Sequence, residues 1–435
     1  MLISIEGKAL GRWRVSRFPG LANTARLFRK LVWFSLRRFP LSARHFFGLR
    51  VLEVCAYPHN RFSAKEAVFP AGKNRASENV SFDQEPKGSE PTSNVPALHI
   101  LRLGNAGVVH NSRFNSAVVK NSLVIPTRIE TGPWALYKGK KPRLVGRIVG
   151  QADDFVALKV SKNPRTLRRA LYIGTRAPYN WYHWIANVLP ALYVANQAAV
   201  DETIPLLLPE EIGNSPQMME SLNIFLGKRP VVWIAKDEYL QVGDLLWAES
   251  PVGDAPFSID PAHRLPISLH RTAMQGYRDK ILNYYSAEVA AFTPIERVFL
   301  ARKPGSSRPY NQQEIQDLAC HHGFEVVFTE SLSFGQQVAL FFHAKYIVGP
   351  TGAAFSSLIF ATAGLRALRL LGVSEKYENY FSNLATVGGA QIFDCNSDTP
   401  NDQLGPLEFQ ISEQLFEQAM RTLLDQPPKQ FPEEL

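Results

Sequence analysis

From about Thr166 onward, apolar runs of strand length alternate with segments whose apolar residues recur at helical spacing. The first series has strands predicted at 170–174, 204–209, 231–235 and 244–249, and helices predicted from about Tyr179 and over Ser215–Leu226. Such alternation is typical of βα units that feed a parallel sheet. It predicts a Rossmann-like half in this part of the chain.

A second series of the same kind follows. Strands are predicted at 297–302, 324–328, 345–349 and 366–371, with helices over Asn311–His322, Ser333–His343 and Gly352–Phe360. A helix-rich connection around Leu269–Val289 separates the two series. The pattern predicts an α/β fold with two Rossmann-like domains facing a cleft.

The chain before these two halves has a different pattern. Short alternating apolar runs over Leu98–Thr127 predict strands and hairpins, and residues 62–96 are polar with little periodicity. We therefore expect a small β-rich segment at the start of the first domain. The predicted organisation is a basic arm (1–60), a polar linker (61–97), an acceptor-side domain (98–285), a donor-side domain (286–400), and a C-terminal helix and tail (401–435).

Composition narrows the class of protein. The 435 residues are 45% hydrophobic and 20% charged, which is ordinary for a globular chain of more than one domain. Cys55, Cys320 and Cys395 lie far apart with no CxxC pair. This argues against a structural zinc site or a disulfide scaffold, and it favours a reducing, cytoplasmic location.

The positive charge is concentrated at the N-terminus. Residues 1–50 contain eleven Lys or Arg and one acidic residue, Glu6, whereas the whole chain carries a net charge of +9. The apolar run Leu31–Leu36 is far shorter than the ~20 residues of a membrane span. Flanked by paired basic residues and followed by Pro40, it predicts an amphipathic helix on the anionic inner face of the cytoplasmic membrane. The alternatives are a solvated basic leader and nucleic-acid binding; no nucleic-acid module accompanies the arm, so no nucleic-acid partner is predicted.

The segment YNWYHWIANVLPAL (179–192) contains the first candidate site. If Asn180 caps a helix, His183 falls in the first turn at the carboxyl edge of the sheet, and Asn187 lies four residues later on the same face. A neutral imidazole there could take a proton from an attacking hydroxyl. The alternative is a structural histidine.

The segment IVGPTGAAFSSLIF (347–360) contains the second. Gly349 and Gly352 would let backbone N–H groups approach a diphosphate at the start of a helix, around Thr351 and Ala353. The spacing is neither that of a P-loop nor GxGxxG, and a tight structural turn is the alternative.

Four further polar residues are predicted at carboxyl edges of the second half. An arginine suits phosphate oxygens and a carboxylate suits ribose hydroxyls, so a sugar-nucleotide site could be completed there. Solvated surface residues are the alternative. The residues are Arg302, Arg308, Asn311 and Glu330.

Together, these segments resemble the family 61 glycosyltransferases, in particular bacterial members that make capsular polysaccharide. The matching stretches are YNWYHWIANVLP, FLARKPGSSRPYN, LSFGQQVALFFHAKYIVGP and GPTGAAFSSLIF, in the family's order within Leu98–Leu371. The resemblance implies a GT-B fold, a nucleotide-sugar donor, inversion at the anomeric carbon, no cofactor and no obligatory metal.

The resemblance also implies roles for the candidate residues. His183 would be the catalytic base, and the Gly349–Ala353 turn with Arg302 and Arg308 would hold the leaving diphosphate. The chain departs from the family at Asn187, where an acidic residue is usual, and at Thr351, where a histidine is usual. We thus predict a hexosyl- or pentosyltransferase that extends a glycan or lipid-linked glycan of a capsule or lipopolysaccharide. The two departures leave open a non-catalytic, sugar-nucleotide-binding or scaffolding member of a polysaccharide assembly complex.

Overall fold

The computed structural model describes most of the chain after residue 44. The predicted amphipathic helix and most of the basic arm lie outside the described residues. In the described part, no helix combines the length and apolar character needed to cross a bilayer. The described residues are 45–46, 49–58, 63–64, 67–75, 80–81, 92–95, 97–111, 114–119, 122–127, 148–152, 155–161, 164–175, 177–253, 268–305, 308–372, 380–398 and 408–425.

Strands are numbered here in chain order. They are β1 (His45–Phe46), β2 (Leu49–Pro58), β3 (Ser63–Ala64), β4 (Gly72–Arg75), β5 (Val80–Ser81), β6 (Thr92–Val95), β7 (Ile100–Asn111), β8 (Phe114–Val119), β9 (Ser122–Thr127), β10 (Ile148–Ala152), β11 (Phe155–Lys159), β12 (Arg165–Tyr172), β13 (Leu206–Pro209), β14 (Val231–Ile234), β15 (Tyr239–Ala248), β16 (Val252–Gly253), β17 (Ser268–Leu269), β18 (Arg297–Leu300), β19 (Glu325–Val327), β20 (Tyr346–Pro350), β21 (Arg366–Leu371) and β22 (Gln391–Asn396).

Most helices fall close to predicted positions, whereas the helix Tyr380–Gly388 (α8) was not predicted. They are α1 (Trp181–His183), α2 (Leu189–Gln197), α3 (Pro216–Leu226), α4 (Arg271–Tyr284), α5 (Ser286–Ala291), α6 (Gln312–His321), α7 (Phe334–His343), α8 (Tyr380–Gly388) and α9 (Glu413–Asp425). A π-helical turn (Trp184–Val188) joins α1 to α2, and 3-10 helices span Glu210–Asn214, Thr329–Ser331 and Ala353–Phe360.

The first sheet is mixed, with its main path in the order β10-β11-β2-β9-β8-β7-β15-β12-β13-β14. The last four strands of that path are mutually parallel, and β7 runs antiparallel to β15. The chain moves outward from β12 through β13 to β14 and then returns to the other side of β12 as β15. The predicted β-rich segment over 98–127 is therefore confirmed as β7, β8 and β9.

The second sheet has six parallel strands in the order β19-β18-β20-β21-β22-β5. Its edge strand β5 comes from the segment predicted as a polar linker, and Val80 pairs with Phe393. Strands β1 and β2, from the segment predicted as a basic arm, belong to the first sheet. Strand β5 lies at the edge of the second sheet, where backbone pairing with β22 holds a polar segment. Strand β2 lies instead inside the first sheet, between β11 and β9, and its sequence LRVLEVCAYP is largely apolar.

Side chains alternate between the two faces of each parallel sheet, as the pleat requires. In β12, Leu171 joins the largest apolar cluster, whereas Tyr172 joins the cluster on the opposite face. In β20, Ile347 and Val348 divide in the same way. The largest cluster contains residues of both sheets, so a continuous apolar core connects the two halves. The class is mixed α/β with two sheets, as predicted, whereas the two-domain GT-B arrangement stays a prediction.

Candidate functional site

The helix that carries His183 follows β12, an interior strand of the first sheet. The predicted cap is confirmed: the Asn180 side chain accepts a hydrogen bond from the Tyr182 N–H, 3.0 Å away. The helix then widens into a π turn, closed by the Leu189 N–H donating to the Trp184 carbonyl. Pro190 accounts for the wider turn, because a proline ring clashes with the carbonyl four residues earlier in a regular helix.

His183 is bonded to the residue predicted to share its face. Its Nδ1 lies 2.9 Å from Asn187 Oδ1, and the two side chains are 6% and 2% exposed. The Asn187 Nδ2 group donates to Ser250 Oγ at 3.1 Å and to the Val252 carbonyl at 3.4 Å. Ser250 Oγ also accepts the Val252 N–H at 3.2 Å. Hydrogen bonds therefore connect the histidine, through Asn187, to the segment after β15.

The position of these hydrogen-bonded residues, His183, Asn187 and Ser250, follows from the topology of the first sheet. Its parallel part has the order β15-β12-β13-β14, so the direction of the connections reverses between β12 and β15. In open α/β sheets, ligands bind beyond the carboxyl ends of the strands where this reversal occurs. His183 follows β12 and Ser250 follows β15, which puts the hydrogen-bonded chain at the switch point.

The turn after β20 occupies the matching place in the second sheet. That sheet has connections that reverse between β18 and β20, and Thr351 and Gly352 follow β20 directly. Thr351 is 1% exposed, its N–H donates to the Leu370 carbonyl, and its carbonyl accepts from the Arg302 Nη2 group. The next eight residues form a 3-10 helix rather than the predicted regular helix. Its first N–H groups have no acceptor within the helix, which is the property expected of an anion site.

Arg302, after β18, holds this turn in place. Besides the Thr351 carbonyl, its guanidinium bonds the Arg308 carbonyl from Nη1 at 2.5 Å. Its backbone N–H and carbonyl are both held by the Gln312 side-chain amide, at 2.8 and 2.9 Å. A positive charge is therefore fixed beside the turn by bonds at both ends of the residue.

The two switch points lie next to each other. Helix α1 and the π turn pack against the 3-10 helix Ala353–Phe360. Aromatic contacts cross the same junction: the Tyr182 ring lies 5.2 Å from that of Tyr380 and 5.6 Å from that of Phe381, which itself contacts Phe355 at 6.0 Å. A histidine with a defined partner and a turn beside a fixed positive charge thus share one region.

Residues 181–368 match the protein-family model Glycosyltransferase 61, a range that begins at the His183 helix and ends in β21. The chain carries a family 61 glycosyltransferase domain. A comparison with curated proteins found no match. The resemblance to family 61 predicted from the four sequence segments is confirmed over residues 181–368, and it supports a glycosyltransferase activity.

Within the family 61 domain, the two predicted glycines have different surroundings. A Cβ on Gly349 would lie 2.8 Å from Leu300 Cβ and 2.9 Å from the Leu300 carbonyl oxygen. A Cβ on Gly352 would meet nothing closer than Arg302 Nη2 and the Pro350 carbonyl, each at 3.7 Å. Gly349 is therefore required by the packing of β20 on β18, and Gly352 is the glycine at which a ligand could approach the backbone.

The remaining predicted residues of the domain are more dispersed. Arg308 is half-buried and contributes its carbonyl to Arg302. Glu330 is exposed and follows β19, on the far side of β18 from the turn. The Asn311 amide bonds both backbone groups of Ile411, with Nδ2 donating at 2.9 Å and Oδ1 accepting at 3.1 Å, so its structural role is clear and its donor contact stays a prediction. Ala353 begins the 3-10 helix and accepts the Ser356 hydroxyl at 2.6 Å.

The pKa of Tyr310 depends on burial and on the charge of Arg302. Its ring stacks on Phe409 with centroids 5.1 Å apart and planes inclined by 6°. Burial raises the pKa of the Tyr310 hydroxyl, and the opposing effect of the Arg302 charge is smaller. The tyrosine is therefore neutral near the turn, and Arg302 supplies the charge.

Sequence reasoning missed the residues that hold the predicted ones. Ser250 follows the predicted strand 244–249, so the sequence places its hydroxyl at the carboxyl edge of the sheet. No sequence pattern, however, predicts its hydrogen bond with Asn187. Gln312 was predicted only as part of a helix. Among the described residues, no group of three or more His, Cys, Asp or Glu side chains could hold a metal ion.

Proposed function

We propose that this glycosyltransferase transfers a hexosyl or pentosyl group from a nucleotide-sugar to a glycan hydroxyl, with inversion and without a metal. The single observation that supports this most is the packing of the His183 helix against the 3-10 helix that follows the Thr351 turn. An inverting transfer needs a base and an anion site on either side of one anomeric carbon.

His183 is the base in this proposal. Its ring nitrogen takes the proton of the acceptor hydroxyl while that oxygen forms a bond to the anomeric carbon. A histidine suits this step because its ordinary pKa, near 6.5, leaves it neutral at physiological pH. The hydrogen bond from its ring to Asn187 holds the imidazole in one orientation.

The Thr351–Gly352 turn receives the leaving group. As the bond from the anomeric carbon to the diphosphate oxygen breaks, negative charge develops on the nucleoside diphosphate. The N–H groups at the start of the 3-10 helix and the Arg302 charge stabilise it, because fixed dipoles and charges need no rearrangement during the reaction. Arg308 would add a second charge, and Glu330 would bond the ribose hydroxyls.

Binding of the donor is the direct test. Titration calorimetry of the purified protein with a panel of nucleoside diphosphates and nucleotide-sugars should give saturable binding of one nucleotide without metal. Magnesium should not be required. A folded protein that binds no member of the panel would favour the scaffolding alternative.

We also propose that the enzyme extends a surface polysaccharide, such as a capsule or lipopolysaccharide, at the inner face of the cytoplasmic membrane. The eleven basic residues among the first fifty support this, since each contributes about 1 kcal/mol near an anionic surface in favourable cases. Replacing Arg29, Lys30, Arg37 and Arg38 by Glu should release the protein from anionic vesicles. A neutral-lipid vesicle is the control, and unchanged binding to anionic vesicles would contradict the proposal.

A further inference from the structure

We propose that Ser250 is a positioning residue that, through Asn187, makes Nε2 of His183 the basic nitrogen. This inference rests on the proposed function, because it specifies which atom of His183 accepts the proton. It concerns the direction of each hydrogen bond in the chain that joins β15 to the histidine.

The direction is set first at the amide of Asn187. One end of this amide faces the Val252 carbonyl, which can only accept a hydrogen bond, so that end must be the NH2 group. The same end faces Ser250 Oγ at 3.1 Å. The opposite end, Oδ1, therefore faces the histidine.

The orientation of Asn187 then decides the protonation of the ring. An amide oxygen can only accept, so the His183 nitrogen 2.9 Å away, Nδ1, must carry the hydrogen. In a neutral imidazole only one nitrogen is protonated. Nε2 is consequently the nitrogen with the lone pair, and it is the atom that can act as a base.

Among these three hydrogen-bonded residues, Ser250 can be substituted while His183 and Asn187 stay unchanged. Its Oγ accepts the Val252 N–H at 3.2 Å, a local turn bond that fixes the hydroxyl oxygen in front of the Asn187 NH2 group. Without the hydroxyl, only the longer bond to the Val252 carbonyl would oppose a 180° rotation of the amide. The rotated amide would present NH2 to Nδ1 and so move the ring proton to Nε2, where it blocks the base.

Nitrogen NMR measures the tautomer of His183 directly. Protein labelled with 15N-histidine contains ten such residues, and a His183→Gln sample identifies the signals of His183. At a pH above its titration, the wild-type ring should show a protonated Nδ1 and an unprotonated Nε2. A protonated Nε2 would overturn the proposal, and this spectrum needs no Ser250 variant.

Variants of Ser250 test the role of the hydroxyl. Ser250→Ala should mix the two tautomers and lower kcat by about five- to tenfold, the loss expected for one hydrogen bond, with KM for the donor unchanged. Ser250→Thr, which keeps the hydroxyl, should restore both. Thr362→Val is the matched control, because it removes a half-buried hydroxyl that bonds the Phe342 carbonyl away from the site.

The outcomes separate this inference from the proposed function. An unchanged tautomer in Ser250→Ala would overturn the role of Ser250, whatever the activity. An active His183→Gln enzyme would instead refute the catalytic base, even if the spectrum shows the tautomer expected here.

Discussion

The two halves of the site are organised in opposite ways. In the proposed mechanism, the reacting group of the first half is the His183 side chain, which neighbouring side chains and one carbonyl orient. The corresponding groups of the second half are backbone N–H groups of the turn after β20, and the Arg302 side chain bonds the carbonyls beside them. The difference has a chemical reason: a base must hold its proton on a defined nitrogen, whereas an anion site must hold several N–H groups and a positive charge in fixed positions.

The largest expected effect separates the two regions by function. His183→Gln removes the base but keeps a polar side chain, so turnover should fall by about 10²- to 10⁴-fold, the usual contribution of a general base. Donor binding should stay unchanged, because the anion site lies on the other sheet. Transfer assays and calorimetry on the same preparation measure both, and loss of donor binding would show that the two regions are not separable.

The next effect concerns the turn. Arg302→Ala removes the positive charge and its bonds to the Thr351 and Arg308 carbonyls, so donor affinity should fall roughly 10- to 100-fold. Calorimetry with the best nucleotide of the panel measures the change. Arg297→Ala is the matched control: it removes an arginine that bonds the His322 carbonyl from the opposite end of the same strand, β18. Equal losses in both variants would contradict a specific role for Arg302.

Substitution of the two glycines of the turn should have different effects: one should lower stability, and the other should weaken donor binding. Gly349→Ala puts a methyl group 2.8 Å from Leu300, so unfolding free energy should fall by about 1–3 kcal/mol. A methyl group at position 352 would have its nearest neighbours at 3.7 Å, so Gly352→Ala should keep wild-type stability while weakening donor binding. Thermal denaturation and calorimetry distinguish them, and a stable Gly349→Ala protein would show that β18 can move away from β20.

The smallest effect is a shift in pH dependence. In Asn187→Asp, a carboxylate beside His183 would favour the imidazolium, so the pKa of the histidine should rise. Because the base must be neutral, the acid limb of kcat/KM should move to higher pH by about one unit. Asn187→Ala, which adds no charge, is the control and should not move it upward.

The same variant also tests why this chain has an amide at position 187. A carboxylate there would place an oxygen about 3.4 Å from the Val252 carbonyl, where Asn187 now donates a hydrogen bond. We therefore expect Asn187→Asp to lower the melting temperature as well. An acid limb that stays in place in the aspartate variant would show that His183 is not the group that titrates in catalysis.

Local patterns were sufficient to predict much of this molecule. The strands and helices of the two α/β halves follow from apolar periodicity and capping residues, and Asn180 caps its helix as predicted. The contact of His183 with Asn187 follows from their spacing of four residues. Strand β5 could not be predicted from its polar sequence, because it depends on the exposed edge of a sheet built from distant parts of the chain.

The sequence by itself therefore determined most elements of the two α/β halves, the resemblance to family 61 and the residue types at the carboxyl edges, since these depend on short-range spacing. Only the tertiary structure decided that Ser250 contacts Asn187, that Arg302 bonds the Thr351 carbonyl, and that a Cβ would clash at Gly349 but not at Gly352. The physical reason is the same in each case. Hydrogen-bond direction and close packing are properties of groups that are distant in the chain and meet only when the two sheets have formed.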